Sequence, residues 1–291
     1  MSDTQKNFKI TSKGKIITTE AQIKELNDKK NRSVNNEKLW TWFVAKIMEY
    51  PKYNNRVFDY LFNKSIDNIN SFNIGFEVQP LSPRSGTRGK TEGNTHLDLA
   101  IGNITNRGKI GKSGEIEGSG IKYKSKKPGM VCFIEAKMFS DLSTGIAHDK
   151  FRNQMTRVIE NLLCFQGFQN DLVKFPDDIC FTLLTPRAFK LKPKSRLFGY
   201  KFLEYSNDLI TSSSLIEYDI NQLNIDKRFD DNKKNKWKYP ILSERLKALR
   251  LNWATYEDIF EVFLERSIDL LNNDNRKSTF NELTKRLFHN N

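Results

Sequence analysis

An α/β fold with a mixed central sheet flanked by helices is the architecture this sequence predicts, and three observations predict it. Thr95–Gly102, Val131–Ala136 and Ile179–Leu184 are apolar, β-favouring runs of strand length bounded by turn residues. Around them lie stretches whose apolar residues recur at helical spacing. Strand, helix and further strand in succession imply a sheet covered by helices.

Composition divides the 291 residues into three parts: a polar, lysine-rich arm (1–34), a core (35–205) with a basic insert at 103–128, and a mainly helical C-terminal subdomain (206–291) for recognition, dimerisation or covering the sheet. In the arm a short helix is expected around Thr19 to Leu26 within an otherwise loosely ordered segment. Leu39, Trp40, Phe43, Val44, Ile47 and Met48 then form a helical stripe that Pro51 ends, and Val57 to Phe62 begin another. Phe72–Pro80 reads as a strand entering the core. It leads into Pro83–Thr91, a loop with two glycines, three cations and no acid. Arg84, Arg88 and Lys90 there suit phosphate contact, although such turns also serve as plain hairpin loops.

The insert 103–128 is rich in glycine and carries seven cations against Glu115 and Glu117, the pattern of an extended hairpin or a flap. After Lys137 comes a polar turn and then a helix with Ala147, Phe151, Met155, Val158, Ile159 and Leu162 as its apolar stripe. Gln154, Arg157 and Asn161 share a neighbouring face. From Ile179 to Leu203 there is no acidic residue, and Arg187, Lys190, Lys192, Lys194, Arg196 and Lys201 alternate with Phe189, Phe198 and Tyr200. That mixture suits nucleic acid, or equally a solvated loop. Leu215–Ile220 looks strand-like. Helical stripes follow at Leu242–Leu251, Tyr256–Leu271 and Thr279–Phe288, with Ser243, Thr255 and Ser278 as caps.

Lysine and arginine outnumber aspartate and glutamate by 48 to 35, a formal charge of +13 that favours a polyanionic partner. The three cysteines are far apart and two lie in apolar runs, so neither a disulfide framework nor a zinc site is expected. No signal-like or membrane-spanning run is present, so a cytoplasmic protein with no membrane partner is expected. The absence of a phosphate-binding Gly-x-x-x-x-Gly-Lys-Ser/Thr loop argues against a nucleotide cofactor.

The chemistry gathers at the end of the Val131 run. In a strand, Glu135 and Lys137 project to one side while Ala136 faces the other. In the Thr95 run, Leu97, Leu99 and Ile101 share a face and Asp98 stands alone on the opposite one. Charges at the end of a buried strand need a partner or a metal. If the two strands are neighbours, Asp98 and Glu135 raise each other's proton affinity unless a divalent cation lies between them.

Asp98 followed by Glu135-Ala136-Lys137 resembles the PD-(D/E)XK nuclease superfamily over residues 72–186, with Leu97 standing where the family name has proline and 36 residues between the two acids. The resemblance implies a restriction-endonuclease-like core in which Asp98, Glu135 and the Ala136 carbonyl bind Mg²⁺, with Mn²⁺ able to substitute. Lys137 would orient the attacking water, and Gln154, with Arg157 beside it, would position water or phosphate. An acid on the first helix sometimes joins the metal site in that superfamily, and Glu37 is the candidate for it, or else a first-turn glutamate that stabilises the helix dipole. The implied substrate is double-stranded DNA. Stand-alone length and basic insertions look most like a homodimeric type II restriction endonuclease. The alternatives are a repair, recombination or phage-related nuclease, and a non-catalytic nucleic-acid-binding protein.

Overall fold

β-Branched and aromatic residues in five runs of six to eight, with a two-residue edge strand, build one six-stranded sheet. The computed structural model describes residues 16–28, 36–49, 51–67, 69, 72–84, 95–107, 120–124, 129–142, 152–170, 172–223, 225 and 237–264. The sheet runs in the order β1 (Ile16–Ile17), β2 (Asn73–Val78), β3 (Leu97–Gly102), β6 (Met130–Ala136), β9 (Asp178–Thr185) and β10 (Leu249–Thr255). β3 is antiparallel to both β2 and β6, whereas β6, β9 and β10 are mutually parallel and β1 is parallel to β2. The sheet is therefore mixed.

Helices cover both faces. α2 (Glu37–Met48), α3 (Pro51–Phe62) and α9 (Tyr256–Leu264) pack on Phe76, Leu99, Ile101, Cys132 and Ile134. α4 (Gln154–Leu163), α6 (Leu197–Thr211), α7 (Ser214–Ile220) and α8 (Leu242–Leu246) pack on Val131, Phe133, Phe181 and Leu183. Each large apolar side chain buried this way contributes about 1.5–3 kcal/mol. The insert forms a hairpin of β4 (Ile104–Asn106) and β5 (Ile121–Tyr123), with residues 108–119 outside the described residues, and β7 (Gly167–Gln169) pairs with β8 (Leu172–Lys174) in a second small hairpin. Gly102 opens the turn into the β4–β5 hairpin at φ +116°, and a Cβ there would lie 2.2 Å from the Met130 carbonyl oxygen.

Four sequence expectations change. Residues 16–28 are integrated into the fold: β1 extends the sheet edge, α1 (Glu20–Asn27) is closed by a Thr19–Gln22 capping box, and Ile16, Ile23 and Leu26 are core. Leu215–Ile220 is helix, because the Asp208 carboxylate accepts the Leu215 and Ile216 N–H groups and Ile216 and Ile220 bury together one turn apart. Residues 249–255, where the sequence suggests the end of a helical stripe, are a strand paired with β9 on the parallel side of the sheet. Finally, Leu97 packs in the layer opposite to Leu99.

That last change marks a twist. Phe76 and Val78 also fall in opposite layers, and Glu77 between them has φ +52°, a left-handed backbone that costs a non-glycine residue about 1 kcal/mol or more. The β2–β3 register, Phe76 opposite Leu99 and Val78 opposite Leu97, sets Glu77 across from Asp98. Both strands turn at this pair.

Candidate active site

The last paired residues of β3 and β6 are Leu99 and Ile134. One step further, Asp98 and Glu135 share a face, and the ladder gives way to a side-chain contact: the Ala136 N–H donates to Asp98 Oδ2 at 2.7 Å. Lys137 continues past the strand and its Nζ donates to Glu135 Oε1 at 2.6 Å. Glu135 is fully buried, and its second oxygen, Oε2, has no hydrogen-bond partner. An orphaned carboxylate oxygen in the interior is costly unless a cation or donor satisfies it.

Glu37, the first residue of α2, joins the cluster. Its Oε2 accepts the Met138 N–H at 2.7 Å and the Ser140 hydroxyl at 3.0 Å, while Oε1 lies 3.8 Å from Lys137 Nζ. Its place at the helix start also suits the dipole, so the two readings of this residue are compatible.

Glu77 is the member that sequence reasoning missed. It is buried, and Lys38 Nζ lies 3.4 Å from its carboxylate. Burial and the charge of Asp98 push its pKa up to about 7. The available signal was an acid inside the apolar run Phe76-Glu77-Val78.

Electrostatics follow from this crowding. Burial, then the charge of Glu135, hold Asp98 well above the usual carboxylate range. Burial also raises Glu135, against the opposing pull of Lys137 and, more weakly, Arg157. For Lys137 burial favours loss of the proton, but Glu135, Asp98 and Glu37 outweigh it, so the ammonium is held protonated. Four carboxylates against Lys137 and Lys38 make a centre that attracts cations. Among the described residues, no group of three or more His, Cys, Asp or Glu side chains is placed to hold a metal ion.

The other predicted residues separate. Gln154 opens α4, half-buried, and among the described residues no hydrogen bond joins it to the acids or to Lys137. Arg157, one turn on, reaches Glu135 through its charge. Arg84 points inward, 3% exposed, with Nε 2.7 Å from Glu160 and a second nitrogen 3.1 Å from the Tyr239 hydroxyl. It forms a core ion pair and is buried rather than presented at the surface for phosphate. Arg88 and Lys90 lie outside the described residues. Lys190, Lys192, Lys194 and Arg196 sit beyond the C-terminal end of β9, on α5 (Arg187–Leu191), a 3₁₀ turn (Pro193–Ser195) and the residues flanking it.

Comparison with protein-family models, with curated proteins and with solved structures found no match to this chain.

Proposed function

We propose that this protein is a Mg²⁺-dependent deoxyribonuclease of PD-(D/E)XK type that hydrolyses phosphodiester bonds. The observation that carries the reading is the convergence of Asp98, Glu135 and Lys137 on neighbouring strands at one end of the sheet, with Lys137 bonded to Glu135. The buried, unpartnered Glu135 Oε2 fits a hard, oxygen-seeking cation, which Asp98, Glu135 and the Ala136 carbonyl would hold. The chemistry that Mg²⁺, or Mn²⁺ in its place, would supply when bound there is polarisation of the phosphoryl oxygen and acidification of a water.

The chain's own groups do the rest. Lys137, kept protonated by its three acids, donates a hydrogen bond to the attacking water and steadies charge as the water oxygen approaches phosphorus in line. Glu37 fixes the loop after Lys137 by accepting from Met138 and Ser140. Cleavage of the P–O3′ bond leaves a 3′-hydroxyl and a 5′-phosphate.

The finer reading is a homodimeric type II restriction endonuclease, two copies cutting two strands of a duplex. Incubating the protein with plasmid and phage DNA, in Mg²⁺ and in EDTA, tests both levels. Mg²⁺-dependent cleavage is expected, abolished by Asp98→Ala and reduced about 10²-fold or more by Lys137→Ala, with DNA binding retained. Discrete fragments support a restriction enzyme, and ragged or end-dependent products a repair, recombination or phage-related nuclease. Binding without cleavage of any DNA or RNA would leave a binding module and overturn the proposal.

A further inference from the structure

The loop that leaves the acid–lysine cluster exposes an aromatic ring in an unusual setting. Phe139 is 57% exposed, although Met138 before it is buried in one core layer and Leu142 after it in the other. Both neighbours of Phe139 are tied to Glu37, and Asp141 accepts the N–H groups of Leu197 and Phe198 at 2.9 and 3.1 Å. The ring is therefore held in solvent by a loop pinned on both sides. Asp141 also fastens this loop to the start of α6.

That junction continues into a charged shoulder. β6 and β9 are parallel, with Ala136 opposite Leu184, so the segment after β9 emerges at the same end of the sheet as the acids. There Lys192 and Lys194 are exposed, Arg196 lies 4.7 Å over the Phe189 ring, and Lys190 reaches the Trp253 carbonyl at 2.5 Å. Among the described residues none of these four cations pairs with a carboxylate, whereas nearby Arg187 and Lys201 do. The 3₁₀ turn is pressed on α6 at Gly199, where a Cβ would meet the Pro193 carbonyl oxygen at 1.8 Å. Leu191 and Tyr200 stand 73% and 54% exposed among the charges.

We infer that Phe139 and the α5–α6 shoulder form a track for a single strand of nucleic acid leading to the acid–lysine cluster. Cations alone would suit a duplex exterior. Exposed Phe139 and Tyr200 suit stacking on bases that are not enclosed in a helix, with the exposed Leu191 beside them. The inference rests on the nuclease reading for what happens at the end of the track, and within that reading it favours a repair, recombination or phage-related nuclease over a duplex-cutting restriction enzyme.

Fluorescence anisotropy in EDTA tests the track without cleavage, using a labelled mixed-sequence single strand, the matching duplex, and anionic phospholipid vesicles as a control. The single strand is expected to bind more tightly than the duplex, and vesicles not to compete. Phe139→Ala should weaken single-strand binding about tenfold and Phe139→Trp should restore it. K192A/K194A should lower the slope of log affinity against log salt by about 0.7 per lysine, with circular dichroism unchanged. Equal or tighter duplex binding, capture by vesicles instead, or wild-type affinity and slope in the variants would overturn the track. Single-strand binding without Mg²⁺-dependent cleavage keeps the track and removes the nuclease, and cleavage without these binding effects does the reverse.

Discussion

Glu160 has no exposed surface, yet it is satisfied on every side: Arg84 Nε at 2.7 Å, Arg152 at 2.5 Å and the Tyr239 hydroxyl at 2.7 Å. Removing one partner of a buried ion cluster strands the others, so Glu160→Ala is expected to cost about 3–5 kcal/mol, read as a lower urea midpoint. Arg84 shows why this was illegible. Its neighbours Pro83, Ser85, Gly86 and Arg88 are those of a phosphate-binding loop, and nothing local says that an acid 76 residues away waits across the core. Glu77 gives a pH prediction. Its pKa rises from an ordinary 4.5 to about 7 in the folded protein. Between those values the folded chain keeps a proton that the unfolded chain has released, so the contribution of Glu77 to stability is fully present below about pH 4.5 and is lost as pH rises through 7. Glu77→Gln should flatten the melting temperature over this window. An unchanged slope would show that Asp98 and Glu135 account for it alone.

Among the elements, α2, β3, β6 and β9 were legible because each is long and its pattern unambiguous, and the convergence of Asp98 and Glu135 followed from two of them. β10 was not. Leu246, Leu249 and Trp253 are buried in one layer and Ala254 in the other, and at this length helix and strand periodicities overlap. The pairing with β9 decides the outcome. α7 failed in the opposite sense, since Ile216, Tyr218 and Ile220 alternate as in a strand but the Asp208 carboxylate supplies a helical start from outside the segment. Thr255 was read correctly as a cap: its hydroxyl accepts the Asp258 N–H at 3.2 Å. Thr255→Ala should therefore lower stability by about 1 kcal/mol in chemical denaturation. Gly102→Ala should cost more than that, because its positive φ and the Met130 carbonyl both oppose a side chain.

At the scale of the molecule, the site lies where the antiparallel half of the sheet meets the parallel half. β3 brings Asp98 from one side and β6 brings Glu135 and Lys137 from the other, while the bend at Glu77 turns β2 along with β3. The N-terminal segment holds that bend. Gln22, fixed by the capping box with Thr19, donates through Nε2 to the Glu77 carbonyl at 2.5 Å. Composition alone marks 1–34 as an arm because lysine and other polar residues dominate it, and the few apolar residues that matter are diluted. Deleting residues 1–28 strips Ile16, Ile23 and Leu26 from the core, at about 1.5–3 kcal/mol each, and uncovers the outer edge of β2. The truncated protein is expected to unfold at markedly lower urea and to lose Mg²⁺-dependent cleavage. Gln22→Ala isolates the local part: a loss of about 1–2 kcal/mol with cleavage reduced, since the backbone opposite Asp98 is then less constrained. A segment that was only appended would leave the unfolding midpoint and the cleavage rate as they were in both variants.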